Sequence, residues 1–85
     1  MTNLQDKMIR AIARNDFTEV NGATPKSLND IGWVWANTVI YSAEDKGVFT
    51  SLVNAGLAAH NNYKGDDACV TLTEEGFLAY QALAA

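Results

Sequence analysis

The feature that most constrains this chain is a glycine at position 56 and a threonine at position 73, each closing or opening an amphipathic run, with only residues 57–72 between them. Val48, Phe49, Leu52 and Val53 recur at helical spacing and stop at Gly56, the residue type that most readily takes the left-handed conformation ending a helix. Leu57–Asn62 and Ala68–Leu72 are short runs flanking the polar turn Tyr63-Lys64-Gly65-Asp66-Asp67, as in a β-hairpin with a loose tip. Thr73, followed by Glu74 and Glu75, then caps a closing helix carrying Phe77, Leu78, Tyr80, Ala82 and Leu83. The order is helix, hairpin, helix.

The helix before Gly56 is expected over 43–55. Ser42 and Asp45 have the Ser-x-x-Asp form of a capping box, and the acids Glu44 and Asp45 suit the positive end of the helix dipole. Lys46, Gly47, Thr50, Ser51 and Asn54 fall on its outward side. Gly47 costs a helix interior about 1 kcal/mol relative to alanine, so close approach of another backbone is one compensation. In the hairpin, alternation places Ala68, Val70 and Leu72 on the core side and Cys69 on the other, near His60, where it reads as an unreactive strand thiol.

Upstream, Leu4, Met8, Ile9 and Ile12 predict a first helix over 4–15 behind an Asn3 cap. Lys7, Arg10 and Arg14 share its opposite side as a small basic stripe, either a solvated face or a contact for an acidic partner or phosphate backbone. Residues 16–26 contain the turn signal Asn21-Gly22 and read as a connector, with Phe17–Val20 able to add a third strand beside the hairpin. Pro25 and the Ser27/Asp30 pair predict a second helix over 28–39. On it Leu28, Ile31, Trp35 and Val39 form an inward stripe, while Trp33, Ala36 and Ile40 form another that needs its own cover. Trp33 is therefore either covered by the third helix or hairpin, or it is a protein interface; Tyr80 on the closing helix is a second interface candidate.

Eighty-five residues, 48% hydrophobic and 19% charged, fit one domain over 1–85 with a core built by apolar packing. The lone Cys69 leaves no internal disulfide, the amino-terminal residues lack a signal-peptide pattern, and no apolar run reaches the roughly 18 residues of a membrane span. A cytoplasmic protein with no membrane partner is expected. The net charge is −4. Cations and acids cancel over residues 1–41, whereas Lys46 and Lys64 face Glu44, Asp45, Asp66, Asp67, Glu74 and Glu75 in the remainder. That balance argues against tight binding of nucleic acid, which draws much of its free energy from neutralising phosphates.

Ser51-Leu52-Val53-Asn54-Ala55-Gly56-Leu57, the hairpin with Gly65-Asp66-Asp67 at its tip, and Val70-Thr71-Leu72-Thr73-Glu74-Glu75-Gly76-Phe77 together resemble the later part of MarR-type and related winged helix-turn-helix domains. The resemblance covers residues 42–80. It implies an α+β fold with a three-helix core, a β-hairpin wing and a C-terminal helix, and a DNA-binding, transcription-regulator-like function. Carried over position by position, the implied contacts are Lys46, Thr50, Ser51 and Asn54 in the recognition helix and Asn62, Tyr63 and Lys64 in the wing. The acids at the helix start and wing tip depart from the family's basic pattern. They point to an alternative, an acidic winged-helix module that contacts protein and binds DNA weakly or not at all. Double-stranded DNA, a protein partner and a second copy in a homodimer are the partners to consider.

Catalysis is not expected. His60 is the only histidine and has no serine or paired acid beside it in sequence, no Gly-rich phosphate loop occurs, and Asp66-Asp67 with Glu74-Glu75 match no calcium loop. No cofactor or metal is implied.

Overall fold

The structure, a computed structural model, describes residues 2–20 and 25–84. Its first element is a helix, α1 (Asn3–Val20). Thr2 rather than Asn3 caps it: the Gln5 amide donates to Thr2 Oγ1 at 3.1 Å, and the Thr2 amide donates to Gln5 Oε1 at 2.9 Å. This reciprocal pair satisfies two otherwise orphaned donors. The helix continues past residue 15 because neither glycine nor proline interrupts the chain there. Phe17–Val20 are thus helical backbone and not a third strand, and the expected Asn21-Gly22 turn lies outside the described residues.

The expected helix over 28–39 is the largest correction. Pro25 is buried, and the Asp30 carboxylate accepts the Lys26 and Ser27 amides, both at 3.1 Å, so the start forms as expected. Yet α2 spans only Leu28–Ile31 and stops at Gly32, whose φ of 60° is a conformation that side-chain-bearing residues rarely adopt. The chain then extends into β1 (Val34–Trp35) and a 3-10 turn (Ala36–Thr38). Thr71 Oγ1 donates to the Gly32 carbonyl at 2.7 Å and holds the bend. The governing period is two, not 3.6: Val34 is buried, while Trp33 and Trp35 on either side are each 54% exposed. Trp35 therefore does not belong to an inward stripe, and Trp33 is left more than half exposed.

A 12-residue helix, α3 (Ala43–Asn54), follows Ser42, whose Oγ accepts the Asp45 amide. Its end is a Schellman closure: Gly56, at φ 78°, donates to the Val53 carbonyl at 3.0 Å, and Leu57 donates to the Leu52 carbonyl at 2.9 Å. Then come β2 (Ala58–His60), a second 3-10 turn (Gly65–Asp67), β3 (Cys69–Leu72) and α4 (Glu74–Ala84). The strands form an antiparallel sheet in the order β1-β3-β2, with Val34 opposite Val70, Trp35 opposite Cys69, and Ala59 opposite Thr71.

Four α-helices and this three-stranded sheet, among the described residues, make an α+β fold. One cluster joins them: Ile9 and Ile12 from α1, Leu52 from α3 and Leu72 from β3 lie at its fully buried centre, with Val34, Val70 and Phe77 around them. Tyr80 belongs to this cluster too. It is 3% exposed with its ring 6.3 Å from that of Phe77, so it is core and not a protein interface. The cause is that α4 packs along α1, which seals the face carrying residues 77 and 80.

Candidate nucleic-acid interface

The sequence folds α3 so that its two largest inward residues, Phe49 and Leu52, are buried and Lys46, Gly47, Thr50 and Asn54 are exposed. The Asp45 carboxylate turns back to accept the Tyr41 amide at 2.9 Å, one residue before the Ser42 cap, which commits that acid to the helix start. An ideal Cβ at Gly47 would meet nothing within 4 Å, so the expected close approach of another backbone is not there. Gly47 instead leaves bare backbone in the middle of the exposed face.

Beside α3 the hairpin tip is held by one side chain that sequence reasoning passed over. Asn61 Oδ1 accepts the amides of Tyr63 and Cys69, both at 3.1 Å, and its Nδ2 donates to the Asp67 carbonyl at 3.0 Å. The Asn61 amide in turn donates to the Cys69 carbonyl. Asn62, the one described non-glycine residue with positive φ, donates its amide to His60 Nδ1 at 3.2 Å. An Asn between a strand and a polar turn is the signal that could have found this, since its short amide readily bonds backbone two residues on.

Between α3, the hairpin tip and residues 36–40 lies a groove of about 620 Å³. Lys46 and Thr50 line it from α3; Tyr63 and Lys64 line it from the hairpin; His60, Asn61 and Asn37 add polar edges over a floor that includes Phe49 and Val70. The His60 ring stands edge-on to Phe49 at 6.4 Å. Four of the seven residues expected to contact DNA are thus brought together. The other three are not. Ser51 is half-buried and committed, donating to the Val48 carbonyl at 2.6 Å and accepting Gln5 Nε2 at 3.0 Å, because its position on α3 faces α1. Asn54 and Asn62 are exposed but lie outside the groove lining.

The charge around the groove differs from that of the chain. Both lysines of residues 42–85 line it, and none of that half's six carboxylates does, among the described residues. Glu44 and Asp45 border a separate hollow against α1, Asp66 and Asp67 sit in the turn beyond Gly65, and Glu74 and Glu75 begin α4. No group of three His, Cys, Asp or Glu side chains is placed to hold a metal ion, and no helix is long and apolar enough to cross a membrane, among the described residues. No family model, no curated protein and no solved structure matches the chain.

Proposed function

We propose that this protein is a small winged-helix DNA-binding protein that presents α3 to the major groove and the β2–β3 hairpin to the adjoining backbone. The order β1-β3-β2, with α3 running directly into the hairpin, supports the winged-helix reading. The helix that would precede α3 in a helix-turn-helix is here reduced to the 3-10 turn Ala36–Thr38. The observation that carries the functional reading is the meeting of Lys46 and Lys64 in one groove with no carboxylate among its described lining residues. A lysine from the helix can reach a guanine edge or a phosphate, Thr50 can bond a base edge or pack on a thymine methyl, and Lys64 with Tyr63 suits backbone contact. Gly47 leaves no side chain to hold α3 away from the groove floor. Fluorescence anisotropy of a labelled duplex across a salt series tests this: Lys46→Gln with Lys64→Gln should weaken binding and shallow the slope of log K against log salt by about 1.8, at about 0.9 per cation. Unchanged affinity and slope would remove the reading.

One observation favours a second reading, protein contact. Trp33 and Trp35 are both 54% exposed, on either side of a buried valine at the sheet edge. Two half-covered indoles are costly to leave in water and suit an interface, here with a second copy of the chain. Sedimentation velocity should show concentration-dependent self-association that Trp33→Ala with Trp35→Ala abolishes at unchanged far-ultraviolet circular dichroism; a monomer at all concentrations overturns it.

A further inference from the structure

We propose that α1 carries a second duplex-binding surface, in which Lys7, Arg10 and Arg14 engage the phosphates of one DNA strand. The three cations fall at i, i+3 and i+7, so they share one side of the helix, and all three are exposed. They line a single open cleft of about 580 Å³ whose far wall is formed by Thr38 and Tyr41, with Asn15 at its end and no carboxylate among its described lining residues.

The wall is stiffened from within. Asn15 Nδ2 donates to Thr38 Oγ1 at 2.9 Å, Thr38 Oγ1 donates to the Trp35 carbonyl at 2.6 Å, and the Tyr41 hydroxyl donates to the Thr38 carbonyl at 2.6 Å. Arg10 is steadied by donating one Nη2 hydrogen bond to the Leu83 carbonyl at 3.3 Å, which leaves the rest of its guanidinium fork free of that contact. Lys7 to Arg14 spans about 10.5 Å at 1.5 Å per residue. That is several times the axial rise of about 3.4 Å per phosphate of one strand, so the stripe is long enough to face more than one phosphate. Lys7 also borders the hollow holding Glu44 and Asp45, of which Asp45 is committed to the Tyr41 amide, so Arg10 and Arg14 are the stronger pair.

The segment 36–41 separates this cleft from the α3 groove: Ala36, Asn37 and Ile40 border the groove, Thr38 and Tyr41 the cleft. Cations thus stand in both hollows bordered by the segment that leads into α3, within a molecule measuring 30 × 27 × 19 Å. A major groove about 12 Å wide has a phosphate strand on each side. The α1 stripe meets one strand and the hairpin lysine the other. This inference rests on duplex DNA being the ligand, but on different residues from the α3 groove.

Anisotropy titrations of the full chain with a labelled duplex, from about 50 mM salt upward, test it. The variant is Lys7→Gln with Arg14→Gln, sparing Arg10 because of its tie to α4, and Lys46→Gln with Lys64→Gln is run beside it. The α1 variant should keep its thermal midpoint, bind at least about tenfold more weakly at low salt, and lose about 1.8 from the salt slope. If the α1 variant binds like the parent while the α3 variant is weakened, the inference is overturned and the groove reading stands. If only the α1 variant is weakened, the groove reading fails and the inference stands. Absence of duplex binding by the parent at low salt overturns both.

Discussion

Replacing Gly76 by alanine should unfold this protein more readily, although alanine is the better helix former by about 1 kcal/mol. Gly76 lies in the first turn of α4 and is buried. A Cβ built there falls 1.9 Å from the Leu57 carbonyl oxygen, where contacts under 3.0 Å are essentially never seen, so the two backbones must part by about 1 Å. That oxygen is not free to move. It accepts the Thr73 amide at 3.1 Å, while Thr73 Oγ1 donates to the Gly56 carbonyl at 2.6 Å and accepts the Gly76 amide at 3.1 Å. Separation would strain or break the clasp that joins the end of α3 to the start of α4. Overpacking costs about 1–3 kcal/mol and a lost hydrogen bond about 1 kcal/mol. After the helix-propensity gain the net loss is about 2 kcal/mol, which in a domain of this size lowers the thermal midpoint by about 8–16 °C. Gly47→Ala is the matched control: the same substitution in a helix interior, with nothing within 4 Å of the new methyl, should raise stability by about 0.5–1 kcal/mol. Thermal unfolding followed at 222 nm reads both. A Gly76→Ala midpoint at or above that of the parent would refute the close approach of α4 to residue 57.

Asn61→Ala should cost about 2 kcal/mol, because it leaves the Tyr63 and Cys69 amides without their shared acceptor; amide hydrogen exchange should show the loss concentrated over residues 61–69. Ser51→Ala should cost about 1 kcal/mol through its bonds to Val48 and Gln5 and leave any duplex affinity unchanged, whereas Thr50→Ala should do the reverse, checked by pairing thermal melts with anisotropy. Acrylamide should quench the fluorescence of both tryptophans efficiently, since each is 54% exposed; a blue-shifted, protected emission would contradict their placement on the open face.

What the sequence made legible was whatever local chemistry decides. Ser42 with Asp45 and the glycine at 56 bound α3 to within a residue of its observed ends, because a serine cap and a Schellman closure are made by neighbours in the chain. Thr73 opened α4 for the same reason. The region 28–39 departs from the helix its sequence predicts because Leu28, Ile31, Trp35 and Val39 satisfy a helical period by coincidence. The deciding facts are the positive φ at Gly32 and the pairing of Val34 with Val70, a contact across half the chain. Trp-Val-Trp also has a two-residue period, and beside a glycine that reading was available. At the site, Lys46 and Lys64 were nameable one by one, but their convergence depends on how the hairpin leans toward α3. The commitment of Ser51 to Gln5 likewise depends on where α1 lies.

The same distinction governs the electrostatics. A net charge of −4 concentrated in the half that bears α3 and the hairpin argues against phosphate binding only if the acids share a surface with the lysines. They do not. At physiological salt, charges on exposed surfaces are screened over about 8 Å, so the local set matters more than the sum. The groove sees Lys46 and Lys64, the α1 cleft sees Lys7, Arg10 and Arg14, and the six carboxylates of residues 42–85 lie in the first turns of α3 and α4 or at the tip of the hairpin. Of these, Asp45 adjoins Lys46 in sequence but is committed to the Tyr41 amide, whereas Asp66 and Asp67 follow Lys64 at the hairpin tip and oppose it if the tip rides on a backbone strand. Asp66→Asn with Asp67→Asn should therefore tighten duplex binding at low salt, with the gain vanishing as salt rises. A variant that binds no better than the parent at low salt would mean that the hairpin tip stays clear of the phosphates, which would leave α3 and the α1 stripe to carry the contact alone.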